Sequence, residues 1–399
     1  MTGPHSRSLR AAVIGVGFVG AQHVEALRRI GVDVRVIAAS AADRARTAAR
    51  ALDLPHWTGD WAAAASDPAV DVVHVCVPND LHRQVVLAAL DAGRHVVCEK
   101  PLGLDLAEGR ELATAASRSD RVAVLCHNYR FFPMVAELRL QIAAGVMGRV
   151  SAIRGVYLQD WLLSANATNW RIDAARGGRS RTIADIGSHW VDLAETVAQH
   201  KLTAVMADVA TLHARRPGYS HVGTFSGAAD GAVEWVDVTT EDQAGLLLRF
   251  DGGVQGTLAL SQVSAGHGND LELSIDGTSG SATWRQEQPD QVWLARGGTV
   301  EMIARSAERL SPGARQLARL PAGHNEGGAD ALRNLLAAAY AEMGAGRPMD
   351  EALSAPLPTF DDGMRHLAFV EAALRSAAEG RWVAIEELLA PQRSVQEVP

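Results

Sequence analysis

In the first third of the chain, hydrophobic positions come in short, nearly continuous runs. Arg10–Ile14, Val34–Ala38, Val70–Val77, His95–Cys98 and Val122–Cys126 read as strands covered on both faces. Between them lie alanine-rich helical segments, Ala21–Ile30, Ala42–Leu52, Trp61–Ser66, His82–Ala92 and Leu106–Arg118. Strand and helix in alternation predict right-handed βαβ crossovers and a doubly wound parallel sheet.

Near residue 150 the pattern changes. Val150–Gln159 alternates as a half-buried strand does, and a helical region follows at Ile183–Val197. Then come strands at Ala204–Leu212, Val233–Thr239, Ala244–Phe250, Val254–Ser261, Leu271–Asp276, Ser281–Trp284 and Val292–Ala295, with hairpin signals at Asp251-Gly252-Gly253 and Asp276-Gly277. Residues 215–232 read as a long loop and Glu301–Asn325 as an irregular excursion, before closing helices at Gly328–Met343 and Asp361–Glu379. The expected class is α/β, with an N-terminal doubly wound domain over residues 1–130. An α+β domain with an open, largely antiparallel sheet is expected over 131–390, and a frayed tail over 391–399.

The first strand runs into Gly15-Val-Gly17-Phe18-Val19-Gly20, the G-x-G-x-x-G fingerprint of a dinucleotide-binding Rossmann unit. Gly15 permits the tight turn, Gly17 lets the backbone approach a pyrophosphate, and Gly20 lets helix and strand pack closely. The pyrophosphate would face the unpaired N–H groups at the start of the helix.

Composition narrows the setting. Over 399 residues, 47% are hydrophobic and the net charge is −8, so no basic footprint for nucleic acid or anionic membrane is present. No apolar run reaches the ~18–20 residues of a membrane helix. The first eight residues are polar with no apolar stretch behind them, and Cys76, Cys98 and Cys126 have no C-x-x-C spacing. These features suit buried thiols, no metal and a cytoplasmic setting.

Cofactor type turns on the end of the second strand, where NAD enzymes usually place an acid. Here it reads Val36-Ile-Ala-Ala-Ser40-Ala-Ala-Asp43-Arg44. Ser40 and Arg44 can hold a 2′-phosphate, which tilts the expectation from NAD towards NADP. Ser40 can equally cap the next helix. Further on, Val77-Pro78-Asn79-Asp80-Leu81-His82 and Cys98-Glu99-Lys100-Pro101-Leu102 each follow a strand, at the sheet edge where such folds bind ligands.

The fingerprint, V-P-N-x-x-H and C-E-K-P-L, in this order and spacing, resemble the Gfo/Idh/MocA oxidoreductases. The resemblance extends through Asn128-Tyr-Arg130, Tyr157-Leu-Gln-Asp160-Trp161, Asn169-Trp170-Arg171, Asp185-Ile-Gly-Ser-His189 and Gly323-His324-Asn-Glu326. The Tyr157-to-Arg171 stretch is most similar to the levoglucosan-dehydrogenase-type branch. The resemblance implies a catalytic set of Lys100, Asp185 and His189. An imidazole suits the transfer of a hydroxyl proton, and Lys100 can polarise the reacting oxygen. Asp185, four residues before His189, would share its helical face.

Pro78, Asn79, His82, Glu99 and Lys100 join Gly15, Gly17, Phe18, Val19, Gly20, Ser40 and Arg44 as the expected cofactor side. Arg130 either joins them or anchors the interdomain linker. Tyr157, Asp160, Trp161, Trp170 and Arg171 suit a polyol ring, although the two tryptophans fit core packing as well. His324 either lines the pocket or sits in a loop. Several arginines in Arg176–Arg181 fit an anionic sugar or a solvated loop.

The expected activity is NAD(P)-dependent hydride transfer at a ring carbinol of a sugar, anhydrosugar, glycoside or cyclitol. The expected assembly is a homodimer or homotetramer through the C-terminal sheet. A non-catalytic NAD(P)-binding sensor and a cofactor-retaining enzyme acting on glycosides by transient oxidation are the rival readings.

Overall fold

The computed structural model describes residues 9–219, 234–345 and 356–390. Its first sheet has six parallel strands in the order β3–β2–β1–β4–β5–β6. These are β1 (Arg10–Ile14), β2 (Asp33–Ala38), β3 (Trp57–Thr58), β4 (Val72–Val75), β5 (His95–Cys98) and β6 (Ala123–Leu125). Helices α1 (Phe18–Arg29), α2 (Ala42–Ala51), α3 (Trp61–Ser66), α4 (His82–Asp91) and α5 (Leu106–Arg118) make the crossovers. Strand order reverses between β1 and β4, which opens a crevice at their carboxyl ends. β4 ends at Val75, short of the expected Val77, because the chain turns there into Pro78.

The glycine turn is held by close backbone approach. Gly15 has φ +117°, and a Cβ there would lie 2.1 Å from the Cys76 carbonyl oxygen. A Cβ on Gly20 would lie 2.0 Å from the Gly15 oxygen, so strand and helix meet backbone to backbone. Helix α1 starts at Phe18 with no side-chain cap, and Gly17 faces open space. First-turn N–H groups without a cap are what an anion needs.

The second half adds α6 (Pro133–Ala143), β7 (Val150–Leu158), α7 (Ala174–Gly177), α8 (Ser188–Ala198), β8 (Leu202–Ala210), β9 (Arg215–Pro217) and β10 (Trp235–Asp237). It continues with β11 (Gln243–Phe250), β12 (Gln255–Ser261), β13 (Asp270–Gly277), β14 (Ser281–Arg285), β15 (Gln291–Arg296) and β16 (Thr299–Ala304). α9 (Pro312–Arg315), α10 (Gly328–Ala345), α11 (Phe360–Glu379), β17 (Val383–Ala384) and α12 (Ile385–Leu389) close the chain.

Nine strands form the open sheet, ordered β16–β15–β14–β13–β7–β12–β11–β8–β17 and antiparallel except for the parallel β7–β12 pair. Short strand β9 falls at the start of the region expected as loop and pairs with β10, which lies inside the expected strand Val233–Thr239; residues 220–233 lie outside the described ones, as does the tail 391–399. Beyond the expected elements the structure adds α6 and β16 and the shorter β3, α7, β9, α9, β17 and α12.

One face of the open sheet carries Trp190, Trp284, Phe132 and Phe369 in its core. Helix α8 sits directly on β7 and β13 because β7 has no side chain at Gly155. There the Trp190 indole crosses the bare backbone and donates from Nε1 to the Glu272 carbonyl at 2.9 Å. Two helices tie the halves together. Leu332, Leu335 and Leu336 of α10 join the core on one face of the first sheet. α11 packs against both α5 and β8. At the centre, buried Arg130 grips Asp192 of α8 through Nε, at 2.9 and 3.1 Å, and reaches Asp362 of α11 at 3.0 Å.

A Cβ at position 155 would meet Trp190 at 2.2 Å and the Glu272 oxygen at 2.1 Å. Gly155→Ala is therefore expected to push α8 off the sheet and destabilise the protein by on the order of 3 kcal/mol. Denaturant unfolding with and without the substitution measures this, and an unchanged midpoint would refute it.

Candidate active site

A cavity of about 1150 Å³ opens where the carboxyl ends of β1, β4 and β5 face the end of β7 and the start of α8. On the first-domain side its wall contains Gly15, Gly17, Phe18, Val19, Ser40, Arg44, Pro78, Asn79, His82, Glu99 and Lys100. From the second domain come Tyr157, Trp161, Trp170, Arg171, Asp185 and His189.

Lys100 leaves β5 and spans the domain gap. Its Nζ donates to the Asp185 carboxylate Oδ1 at 2.7 Å and to the Asp185 carbonyl at 2.9 Å. Gln262 donates to the other carboxylate oxygen at 2.9 Å, and the Arg171 guanidinium lies 3.4 Å from the first. Burial pushes this carboxyl upwards, but the Lys100 and Arg171 charges outweigh it and hold it well below the usual carboxylate range. Asp185 thus stays a full anion.

Asp185 sits in a widened π-turn, Ile183–Gly187, which leads into α8. The expected helical face shared by Asp185 and His189 is altered by this turn. The carboxylate goes to Lys100 and Gln262 and makes no hydrogen bond to His189. Single π-turns inside helices often mark functional sites.

His189 stacks on the Tyr129 ring, 4.6 Å between centroids and 17° between planes. Burial, then Lys100 and His127, push its pKa well below the ordinary imidazole value, against weaker support from Asp185 and Glu99. It is a neutral imidazole near pH 7, with Nδ1 buried and without a hydrogen-bond partner.

Glu99 stands beside Lys100 at the head of a buried chain. His23 Nε2 lies 3.1 Å from Glu99 Oε1, His23 Nδ1 lies 2.9 Å from His74 Nδ1, and His74 Nε2 lies 2.9 Å from the Tyr340 hydroxyl. With both imidazoles neutral, an ionised Glu99 sets the order of donors: His23 gives Nε2–H to Glu99, His74 gives Nδ1–H to His23, and Tyr340 gives its hydroxyl hydrogen to His74. Burial pushes Glu99 up, but the His23 imidazole and Lys100 together bring it down to about 2. This chain also explains the polar residue inside β4, where Val-Val-His-Val is wholly buried.

The second-domain wall is an amide and phenol network. Tyr157 bonds Tyr129 at 2.9 Å and donates to Asn269 at 2.8 Å; Gln159 donates to Asn269 and accepts from the Trp161 indole, both at 2.8 Å. Arg171 lies over the Trp170 ring at 4.4 Å. Gln262 and Asn269 carried no sequence signal as site residues, because amides at strand ends belong to no motif, whereas Tyr129 and Gln159 lie inside the Asn128–Arg130 and Tyr157–Trp161 patterns without being singled out there.

Several expectations are corrected. Arg130 does not reach the cofactor side: Asp192 and Asp362 hold it in the interior. His324 takes the second of its two expected places, exposed on a loop, where its carbonyl accepts from Arg305 and its N–H donates to the Pro321 carbonyl. Asp160 stands outside the cavity wall, and Gly20 serves strand–helix contact rather than the wall. His82 is in the wall, but both ring nitrogens face backbone carbonyls, of Pro101 at 2.8 Å and Val77 at 3.0 Å. Among the loop arginines, Arg181 is buried against Asp242 and Arg179 pairs with Glu371, which leaves Arg176 in the wall.

Two buried clusters gather His, Cys and carboxylate groups, His23–Glu99–Cys126 and His127–Asp192–His366. Neither reads as a metal centre, since His23 already bonds Glu99 and Arg130 grips both Asp192 oxygens.

Comparison with known proteins agrees with this architecture. Residues 9–127 match a family model described as oxidoreductase family, NAD-binding Rossmann fold, and residues 135–283 match the GFO/IDH/MocA C-terminal domain. A levoglucosan dehydrogenase of Pseudarthrobacter phenanthrenivorans is 29% identical over 96% of this chain and 100% of its own. A solved levoglucosan dehydrogenase in complex with NADH and L-sorbose superposes with a TM-score of 0.85 at 27% identity, covering 96% of this chain and all of that one. An inositol dehydrogenase homologue from Azotobacter vinelandii, solved with NAD+, gives 0.81 at 26% identity, covering 96% and 100%. With both domain models matched in order around a single interdomain cleft, the chain belongs to the Gfo/Idh/MocA family of NAD-binding oxidoreductases.

Proposed function

We propose that this protein is a dehydrogenase that oxidises a ring carbinol of a sugar, anhydrosugar, glycoside or cyclitol, with His189 as general base. The observation that carries the reading is the meeting of Lys100 and Asp185 across the domain gap, at 2.7 Å, in the same cavity wall as neutral His189. Fit to a dinucleotide is supported by the bare glycine turn and the uncapped start of α1. A nicotinamide cofactor bound there supplies the hydride acceptor.

The chain's own residues do the rest. Lys100 donates a charged hydrogen bond to the carbinol oxygen and stabilises negative charge as it develops there. Asp185 keeps Lys100 aimed. His189, neutral and within a wall shielded from bulk water, takes the hydroxyl proton; in reduction it returns it. Tyr129 fixes the imidazole plane by stacking. Trp161, Trp170 and the Gln159–Asn269–Tyr157 network offer a ring an apolar face and edges that hydrogen-bond hydroxyls.

Within the NAD-binding fold, the reading favours NADP. Ser40 and Arg44 lie in the cavity wall, with Arg44 Nη1 donating to Ser40 Oγ at 3.2 Å, and β2 ends without an acid. For assembly, Trp293, Val300 and Met302 form an exposed apolar patch on the outer face of the open sheet, with Leu247 further along it. That supports a homodimer or homotetramer through this face. Three unpaired thiols suit a reducing compartment, the cytoplasm.

A screen of both cofactors against anhydrosugars, glycosides, monosaccharides and inositols, followed by NAD(P)H absorbance, tests the activity. His189→Ala is expected to lower turnover roughly 10²–10⁴-fold with cofactor affinity retained; wild-type turnover would remove His189 from the chemistry. Arg44→Ala is expected to weaken NADP binding far more than NAD binding, and equal losses in a fluorescence titration would reverse the cofactor assignment. In light scattering the protein is expected to be a dimer or tetramer that the pair Leu247→Glu and Trp293→Glu dissociates, whereas a wild-type monomer would contradict the assembly.

A further inference from the structure

Behind the site lies a row of imidazoles that the chemistry above leaves unused. His127 follows β6 and is 1% exposed; His366, on α11, is 4% exposed. Neither nitrogen of His127 has a hydrogen-bond partner, nor does Nδ1 of His366, nor Nδ1 of His189. Buried polar atoms without partners are costly, and four of them in neighbouring rings require a common explanation.

The spacing supplies one. The His127 ring lies 5.2 Å from that of His189, at 88°, and 4.7 Å from that of His366, at 81°. Elsewhere in the same protein, His23 and His74 sit 5.1 Å apart at 78° and share an Nδ1···Nδ1 contact of 2.9 Å. The ring separation at His127 is thus that of hydrogen-bonded imidazoles. A half-turn about χ2 exchanges the nitrogen and carbon edges of an imidazole without moving its plane, so N–H···N contacts are open to this row. It ends on a carboxylate: His366 Nε2 lies 3.6 Å from Asp192 Oδ1.

The field along the row has a direction. His189 faces Lys100 and, whenever that ring carries a charge, His127, which disfavour a proton there, with Asp185 and Glu99 opposing more weakly. His127 faces His366, then Arg130 and Lys100, against Asp362. His366 faces Asp192, Glu195 and Asp362, which favour a proton, against Arg130. Burial holds all three neutral at rest.

Building on the assignment of His189 as the base, we propose that His127 is its positioning partner, and that His189, His127, His366 and Asp192 form a buried relay. As His189 takes the carbinol proton at Nε2, its Nδ1–H proton passes to His127. His127 passes the proton on its other nitrogen to His366, whose positive charge then rests against Asp192. The carbinol C–H bond breaks as hydride leaves for the nicotinamide, so the proton and the electron pair are both accounted for. The relay moves the positive charge away from Lys100 during oxidation and returns it during reduction.

The test compares His127→Phe and His127→Gln in the full chain, with the cofactor and polyol that give the highest turnover in the absorbance screen. Phe removes both nitrogens; Gln keeps a donor and an acceptor. His127→Phe is expected to lower kcat about 10- to 100-fold, the loss of one hydrogen bond to a charged group, with unchanged cofactor affinity. Without an acceptor at Nδ1, His189 is a weaker base, so the acid limb of the kcat–pH profile should move to lower pH. The proton inventory in mixed H2O and D2O, bowed in the wild type, should become linear. His127→Gln should recover part of kcat. Unchanged kcat and a bowed inventory in both variants would overturn the relay; so would equal losses in Phe and Gln with the inventory and pH limb unmoved, which mark a packing role. If His189→Ala is inactive while both His127 variants behave as wild type, the relay alone falls. If His189→Ala turns over normally, the base assignment falls and the relay with it.

Discussion

The meeting of Lys100 with Asp185 is the constraint on which the site depends. One charge is delivered by a strand of the first sheet and the other by a π-turn of the second domain, so neither domain has a site alone. Both side chains are mostly withdrawn from water, at 12% and 16% exposure. At such depth an unmatched charge is expensive, and Lys100 helps to hold Asp185 ionised. Gln262 and Arg171 use the remaining carboxylate valence, which leaves Lys100 as the cation able to turn towards a substrate oxygen. The rest of the architecture supports that alignment. Arg130 clamps α8 and α11 to the linker through Asp192 and Asp362, and the bare backbone of Gly155 lets α8 settle on the sheet.

Much of the first domain was legible because its signals are local. Strand β1, strand β5 and helices α3 and α5 have the bounds expected from apolar runs and caps. Asp60 and Asp105 cap the two helices as their positions suggest. Helix α6 escaped because Pro133–Ala143 is buried on nearly all sides and so shows no apolar stripe. Edge strand β16 escaped because its residues are almost wholly exposed, which removes the alternation that marks a strand. The parallel β7–β12 pair is a topological fact with no local signature.

In the site, residues carried by motifs were the visible ones, and those brought in by topology were not. Lys100, Asp185 and His189 come from short recurrent patterns, whereas Gln262 follows β12 and Asn269 precedes β13, strands that pair with β7, and they gain meaning only in the assembled sheet. Motif proximity also misled. Arg130 adjoins the site in sequence but serves as a buried clamp, and most of the arginine-rich turn is consumed by Asp242 and Glu371. A cluster of cations in sequence therefore overstated the positive charge that this turn offers the cavity, to which only Arg176 of the three contributes.

The most direct measurement is a crystal structure of the protein with oxidised cofactor and the polyol that the screen selects. The account expects the reacting carbinol oxygen within about 2.6–3.2 Å of both Lys100 Nζ and His189 Nε2, with Asp185 still holding Lys100. A polyol whose oxidised carbon lies away from both groups, with Lys100 bonded to Asp185 alone, would contradict it.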